Sequence, residues 1–332
     1  MRSSSYLVRA GAVALAMTAI IAGRVAAMTP AEFRASRLWA TAHFSIATYI
    51  SFKADVWECA KGTESPDLFN PTTLDVDGYL DWVQKIGAQG FLITAMHVDG
   101  FCLWPSASSP HNISASAWYR EHGRRNVLRE FLDGARKRGL RVGLYFSMQD
   151  RYFEAHHDVN PKSYTAAVQA HLRELLGGDY GQIDLLVLDA WPWLDAANYT
   201  NLPYDSIYPL IKKLQPNCLV GINHHEHDGA HGDVDVFEQP AKIDGEPPPG
   251  RTTFPSVLCW STLHQDGVWF GHSDLTPHAI SQAEVIRART ERMTAAGYIS
   301  LVNFSPGPSG ALADDVQRVL GKLAAEGESA KR

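Results

Sequence analysis

Short runs of apolar residues recur along the chain and alternate with stretches whose apolar residues repeat at helical spacing. Eight of the runs have the length of a strand and few polar positions, as is typical of strands buried on both faces of a parallel sheet. The pattern therefore predicts eight buried strands. They cover residues 43–50, 90–97, 141–147, 183–190, 218–223, 234–239, 257–261 and 298–305.

Helical segments lie between several of these strands and end in glycine. In residues 75–87 the apolar positions share one face, and Gly87 ends the pattern. Residues 125–139 and 163–178 repeat the arrangement, and the latter segment begins at Ser163, a residue type that caps helices well. Eight strands alternating with helices predict an α/β fold, a TIM-like (β/α)8 barrel. An open doubly wound sheet is the alternative, but it needs a glycine-rich turn after the first strand, and the sequence has none there.

Polar side chains follow the predicted strands at the ends where the chain leaves the barrel. In such barrels the functional groups collect at the carboxyl ends of the strands. Asp189 follows the apolar residues 185–188 and precedes Trp191 and Trp193. An unpaired buried charge is costly, so we predict that Asp189 lies at the barrel mouth and takes part in the chemistry. The other polar residues at these ends are His97, Asp99, Tyr145, Ser147, Asn223, His224, His225, Glu238 and Asn303.

Two carboxylates, Asp189 and Glu238, end the fourth and sixth predicted strands. Retaining glycoside hydrolases use two carboxyl groups about 5–5.5 Å apart, one to attack the anomeric carbon and one to protonate the leaving oxygen. The pattern therefore favours glycoside hydrolysis. For Glu238, pairing with an arginine or capping a loop is an equally good interpretation.

The composition narrows the class of partner. The 332 residues carry a formal charge of −6 and contain no block of lysine or arginine, which argues against nucleic acid as a partner. After the N-terminal segment, no apolar stretch is long enough to span a bilayer.

Aromatic residues suit a sugar ligand, although most large aromatic side chains pack in a core. The candidates for stacking on a sugar are Trp104, Trp191, Trp193, Trp260 and Trp269.

The N-terminal segment has the pattern of a secretory signal peptide. Two arginines precede an apolar run over residues 10–23, and Val25 and Ala27 supply the small residues of a cleavage site. We therefore predict a signal peptide over residues 1–27 and a catalytic barrel domain over residues 28–332. The mature protein is expected to be secreted or periplasmic.

Several stretches resemble one known family. "AMHVDGFCLWPS" (95–106) resembles the K-H-H-D-G-F-x-L-W-P-S stretch of the family 29 glycoside hydrolases, the α-L-fucosidases. "LLVLDAWP" (185–192) resembles their V-W-F-D-G stretch, and "GDVDVFEQP" (232–240) resembles their G-D-F-x-T-P-E segment. The resemblance covers nearly all of the predicted mature chain and implies the same barrel. A β-sandwich often follows this barrel in the family, but the sequence stops soon after the last predicted helix, so we expect no sandwich.

The resemblance implies a retaining exo-glycosidase that hydrolyses terminal α-L-fucosides by double displacement. Asp189 is then the nucleophile, and Glu238 stands where the family has its acid/base. The side chains implied to contact the sugar are His43, Trp57, His97 and Tyr145. Trp191 and His225 are further candidates for substrate binding because they lie near the predicted mouth. The expected partner is a fucosylated oligosaccharide or glycoconjugate, and no cofactor or metal is expected.

Four positions depart from the family pattern. Val98 and Met96 replace a histidine and a lysine, and Val56 replaces a glutamate that binds the sugar. Residues 223–227 (NHHEH) stand where an arginine often approaches the nucleophile. A lost hydrogen bond to a sugar hydroxyl costs about 1–3 kcal/mol. A glycosidase for a related L-sugar and a carbohydrate-binding barrel with weak or no catalysis are therefore the alternatives.

The loops after the fifth and sixth strands leave two further alternatives. Glu226 and Glu246 compete with Glu238 for the role of acid/base. The cluster HHEHDGAH (224–231) offers imidazoles and a carboxylate, which are good zinc ligands, so a metal-dependent hydrolase is a less favoured interpretation. Barrel metallohydrolases usually also take an H-x-H pair from the first strand, where this sequence offers only His43.

Overall fold

Eight parallel strands close into a barrel in the order of the sequence. The computed structural model describes residues 27–50, 60–190, 204–223, 231–238, 256–264, 268–271 and 281–329. The strands are β1 (Leu38–Ala42), β2 (Gly90–Met96), β3 (Arg141–Ser147), β4 (Leu185–Asp189), β5 (Leu219–Asn223), β6 (Val234–Glu238), β7 (Val257–Thr262) and β8 (Ile299–Asn303). Because β1 pairs with both β2 and β8, the sheet has no edge. The prediction of a TIM-like (β/α)8 barrel is confirmed.

Helices pack against the strands, and side-chain caps define where several of them begin. The Asp75 carboxylate accepts a hydrogen bond from the Gly78 amide at the start of α2. Helix α6 is capped by Asn160, and Ser163, the predicted cap, instead completes a capping box inside the helix. The helices are α1 (Pro30–Ala35), α2 (Val76–Lys85), α3 (Ala117–Glu121), α4 (Val127–Lys137), α5 (Arg151–His156), α6 (Pro161–Leu176), α7 (Tyr204–Leu214), α8 (Ala283–Ala295) and α9 (Asp314–Ser329).

The first strand differs from the prediction. Residues 43–50 were predicted as a strand, but β1 ends at Ala42, and Ile46–Tyr49 forms a 3-10 turn. The Ser45 hydroxyl accepts a hydrogen bond from the Ala47 amide at 3.0 Å, and such local side-chain bonds favour a turn over a strand. As a result, His43 follows the strand and lies at the mouth of the barrel.

The buried side chains form two layers, because successive residues of a strand point to opposite faces. One layer fills the barrel itself and includes Trp39, Tyr145, Val187 and Trp260. The other lies between the strands and the helices. Tyr145 belongs to the inner layer, so its ring points into the barrel near the end of β4, where Asp189 lies.

Some of the predictions concern residues that the structure covers only in part. The predicted signal peptide, residues 1–27, lies outside the described residues except for Ala27. Within the described ranges, no helix combines the length and the apolar character needed to cross a bilayer.

Cys102, Cys218 and Cys259 are buried and not bridged to one another, and Cys59 lies outside the described residues.

Candidate active site

Five of the predicted site residues lie at the carboxyl ends of the strands, as expected. His43 follows β1, His97 follows β2, Tyr145 lies in β3, Asp189 ends β4 and Glu238 ends β6. Ring contacts and hydrogen bonds connect these five residues into one site. The predicted residues Trp57, Trp191 and His225, and the alternative acids Glu226 and Glu246, lie outside the described residues.

Asp189 is buried, and within the described part of the chain it accepts hydrogen bonds from Tyr145, Ala190 and Asn223. The Tyr145 hydroxyl donates to Oδ2 at 2.5 Å. The Asn223 amide and the Ala190 main-chain N–H donate to Oδ1 at 2.9 and 2.7 Å. Burial and the nearby charge of Asp189 raise the pKa of Tyr145 well above its usual value, so the phenol stays a donor. These three donors stabilise the negative charge that a nucleophilic carboxylate must carry.

The chain turns sharply directly after Asp189. Ala190 has a φ of 64°, in the left-handed region that non-glycine residues rarely occupy. This conformation brings the Ala190 N–H onto the carboxylate of the preceding residue. Backbone strain of this kind is typical of functional sites.

Asn223 connects the two carboxylates. Its Nδ2 donates to Asp189 Oδ1 at 2.9 Å and to Glu238 Oε2 at 2.5 Å. Because one nitrogen contacts both oxygens, their separation cannot exceed the sum of the two distances. That limit applies to the two oxygens that Asn223 contacts, and it is compatible with the carboxyl spacing of about 5–5.5 Å in retaining enzymes. The sequence marked Asn223 as a polar strand end but gave no sign of this role.

His43 and His97 are neutral side chains at neutral pH. Each is 2% exposed, and the ring of His97 stacks on Tyr145 with centroids 5.1 Å apart. Burial lowers the pKa of His43 to about 4, against the effects of its hydrogen bond to Asn303 and of the Asp189 charge. Burial, with the charge of His43, lowers the pKa of His97 to about 3. A neutral imidazole offers one donor and one acceptor, which suits a sugar hydroxyl.

Asn303 sets which nitrogen of His43 carries the proton. Its Nδ2 donates to Thr262 Oγ1 at 3.2 Å and to the Trp269 carbonyl at 2.8 Å. Its Oδ1 therefore faces His43 Nδ1, 3.0 Å away, and accepts from it. This network assigns the proton to Nδ1 and leaves Nε2 of His43 as a hydrogen-bond acceptor. The sequence had named Asn303 only as a polar strand end.

Comparison with known proteins gives the family. The sequence model of the family described as Alpha-L-fucosidase matches residues 27–325, which is most of the chain. The chain belongs to the α-L-fucosidase family. Among curated relatives, Alpha-L-fucosidase 1 of Arabidopsis thaliana is 29% identical over 179 residues, covering 53% of this chain and 34% of the plant protein. The match thus spans about a third of that relative's length.

Solved structures of fucosidases share the fold. An α-L-fucosidase from Bacteroides thetaiotaomicron, solved as a trapped covalent intermediate with 2-fluoro-fucosyl fluoride, superposes with a TM-score of 0.73 at 18% identity. That likeness covers 90% of this chain and 74% of the bacterial chain. The α-L-fucosidase AlfC in complex with Fuca(1,6)GlcNAc gives a TM-score of 0.70 at 18% identity, over 91% of this chain and 99% of AlfC. At these identities the likeness shows the barrel fold.

Two residues that depart from the family pattern are packed in apolar surroundings. Met96 and Val98 are 1% and 0% exposed. Val98 belongs to a small apolar cluster that also contains Ala47, Ala60 and Phe270. Where the fucosidase family has a histidine and a lysine, this chain therefore places side chains with no hydrogen-bonding group for a sugar hydroxyl.

Aromatic rings form another wall of the site. The His43 ring lies 5.3, 5.1 and 5.3 Å from those of Trp260, Trp269 and Phe270. Trp260 is 1% exposed and belongs to the barrel interior, so it packs in the core instead of offering a free stacking face. Trp104 is equally buried, and its Nε1 donates to Glu174 at 2.8 Å. Of the described stacking candidates, only Trp269 is partly exposed.

Asp99 does not join the carboxylate pair. It accepts hydrogen bonds from the Ser45 hydroxyl at 2.6 Å and from the Phe101 amide at 2.8 Å. Burial raises its pKa to about 6. Asp99 therefore connects the turn after β2 to the turn after β1, which is a structural role.

Proposed function

We propose that this chain is a retaining exo-glycosidase that hydrolyses terminal α-L-fucosides of oligosaccharides or glycoconjugates. The observation that carries the proposal is the carboxylate pair, in which Asp189 accepts hydrogen bonds from Tyr145 and Ala190 and shares the Asn223 amide with Glu238. Membership of the α-L-fucosidase family supports the choice of sugar.

In the first half of the reaction, Asp189 attacks the anomeric carbon and forms an ester with the sugar. The bond from that carbon to the leaving oxygen breaks, and Glu238 gives its proton to this oxygen. Glu238 suits the task because it is only partly buried, so it can reach both the leaving group and water.

In the second half, the Glu238 carboxylate takes a proton from a water molecule that attacks the anomeric carbon. The ester bond breaks, the sugar leaves with the new hydroxyl, and Asp189 regains its charge. The Tyr145 hydroxyl and the Asn223 amide keep the Asp189 carboxylate in place and stabilise this charge as it returns.

Sugar recognition is proposed to involve His43 and His97. The free Nε2 of His43 accepts a hydrogen from a sugar hydroxyl, and the neutral His97 ring lies beside it with centroids 5.6 Å apart. The apolar wall where the partly exposed Trp269 packs against the cluster of Val98 suits a hydrocarbon part of the sugar, such as the methyl group of a 6-deoxy sugar. The same apolar wall is also compatible with a related L-sugar as the substrate.

The experiment is release of the aryl group from an aryl α-L-fucoside by the purified protein, beside Asp189→Asn. We expect turnover by the wild type and none by the variant, with unchanged folding. Turnover by both proteins would remove Asp189 from the mechanism. The absence of turnover by the wild type on a panel of aryl L-glycosides, with the sugar still bound, would favour a carbohydrate-binding barrel.

A metal-dependent hydrolase is tested by the same assay in a chelator. Most of the histidine cluster at 224–231 lies outside the described residues, and within the described ranges no three His, Cys, Asp or Glu side chains gather as a metal site. The fucosidase proposal expects full activity in EDTA. Loss of activity that zinc restores would support the metal-dependent alternative.

We also propose that residues 1–27 direct export and that the mature protein works outside the cytoplasm. The support is the sequence pattern of arginines, apolar run and small residues.

A further inference from the structure

Met28, the residue directly after the predicted signal peptide, is buried in the barrel floor. It is 2% exposed, and its side chain belongs to the apolar cluster that fills the barrel, together with Phe33 and Trp39. Its main-chain nitrogen donates to Oδ1 of Asp184 at 3.1 Å. The first residue after the cleavage pattern is thus also a residue that the fold holds firmly.

Asp184 is a buried carboxylate directly before β4. It is 6% exposed, and its Oδ2 accepts from the Val142 amide at 3.0 Å. The nearest guanidinium nitrogen, Arg141 Nη1, lies 3.7 Å from Oδ1. The other end of this guanidinium donates to Glu32, at 3.2 Å. Two neutral amides, one distant and shared guanidinium and the longer-range charge of Arg136 surround this carboxylate, and a cation in direct contact would stabilise its buried charge further.

We propose that an endopeptidase of the signal-peptidase class cuts the Ala27–Met28 bond and that the new Met28 ammonium forms an ion pair with Asp184. Water adds across the peptide bond, so that Ala27 leaves with a carboxylate and Met28 keeps a protonated amine. The donor to Asp184 thereby changes from a neutral amide to a cation at the same position.

The surroundings of Met28 suit a charged amino terminus. A cavity of about 540 Å³ lies beside it, and its lining includes Ala27, Lys212 and Asp233. The Lys212 ammonium forms an ion pair with the Asp233 carboxylate, which offsets its charge beside a second cation. An ammonium group has three hydrogens, so one can go to Asp184 while the others meet water in this cavity. The neutral amide already donates to a charged acceptor, and an ammonium at the same place adds a full positive charge beside it, so that Coulomb attraction is added to the hydrogen bond. Cleavage of the Ala27–Met28 bond is therefore expected to raise the free energy of unfolding of the barrel.

The first test is the intact mass of the protein after export from a host that expresses the full chain. We expect the mass of a chain whose first residue is Met28. A mature protein that begins at any other residue would overturn the proposal, since its amino terminus would not lie at Asp184.

The second test compares two purified forms, one beginning at Met28 and one that retains Ala26 and Ala27. At about pH 6.5, below the ordinary α-amino pKa of about 7.7–8.0, we expect the Met28 form to melt about 2–4 °C higher. Because the ion pair raises the amine's pKa in the folded state, this advantage must fade as the pH rises through the raised value. An equal difference at about pH 6.5 and pH 11 would contradict the ion pair.

A double-mutant cycle with Asp184→Asn isolates the pair. The substitution weakens both forms because it changes the bonds to Val142 and Arg141. The difference between the two forms, however, should vanish in the Asp184→Asn background. A difference that survives the substitution would show that Asp184 is not the partner. If the variant fails to fold, the pH comparison of the two wild-type forms still decides.

Discussion

A buried aspartate lies at each end of strand β4, Asp184 directly before its first residue and Asp189 as its last, and the two have different surroundings. At the barrel mouth, Asp189 accepts from two side chains, Tyr145 and Asn223, and from one strained main-chain amide. At the floor, Asp184 accepts from the main-chain amides of Met28 and Val142. Groups at the mouth of such barrels serve function, and those at the floor serve stability. The hydrogen-bond donors around Asp184 and Asp189 therefore assign different roles to two aspartates at opposite ends of one strand.

The largest expected effect is at the mouth. Asp189→Asn keeps the shape of the side chain but removes the nucleophile, so we expect kcat to fall by roughly 10⁴-fold or more. The melting temperature should change little. Asp184→Asn is the matched control, since it makes the same replacement at the other end of the strand. Similar losses of kcat in both variants would erase the contrast between mouth and floor.

Glu238→Gln should lower activity by roughly 10²–10⁴-fold, depending on the leaving group. A poor leaving group needs the proton that Glu238 supplies, whereas an activated aryl group does not. Rates measured for a set of aryl fucosides of different leaving-group pKa check this expectation. Glu226→Gln and Glu246→Gln are the comparison variants. A leaving-group dependence in one of them, with none in Glu238→Gln, would assign the acid/base role to that other glutamate.

Asn223→Asp tests whether the shared amide holds the carboxylate pair. A third carboxylate at this position disfavours ionisation of its neighbours, so the pH profile of kcat should shift to higher pH. Asn223→Ala should lower kcat about 10- to 100-fold and leave KM nearly unchanged if the amide acts by positioning the two carboxylates it contacts. A pH profile that neither substitution moves would leave Asn223 with a purely structural role.

Asp184→Asn should destabilise the protein without slowing the reaction. Loss of one acceptor leaves a buried amide donor without its partner, which is expected to reduce the free energy of unfolding by about 1–3 kcal/mol. Thermal melts and denaturant titrations measure this change, and kcat per folded molecule should stay at the wild-type value. A lower kcat in a fully folded Asp184→Asn variant would mean that Asp184 influences the active site at the other end of the barrel.

The last expected effect is confined to acidic pH and concerns the pH dependence of stability. His97 has a folded pKa of about 3, below the ordinary 6.5. The unfolded chain therefore binds the proton first, and stability is lost as the pH falls from about 6.5 towards 3. His97→Phe should flatten the curve of unfolding free energy against pH in this window. An unchanged curve would show that His97 does not titrate as its burial implies.

The sequence predicted the barrel and the carboxylate pair because both leave local patterns. Continuous apolar runs mark the strands, and Asp189 interrupts one of them. The roles of Asn223 and Asn303 leave no such pattern, since an amide's partners depend on which strands are neighbours in the closed sheet. The error in the first strand has a different cause: the Ser45 hydroxyl forms a local hydrogen bond that hydrophobic periodicity does not detect.

The turn at Ala190 limits what substitutions this protein can accept. The family's V-W-F-D-G stretch has glycine where this chain has alanine, and at a φ of 64° the alanine is tolerated at some strain. In a saturation library at position 190, glycine should be enriched, asparagine and aspartate should survive, and β-branched residues should disappear. A residue that contacts no substrate through its side chain would thus be under some of the strictest selection in the molecule.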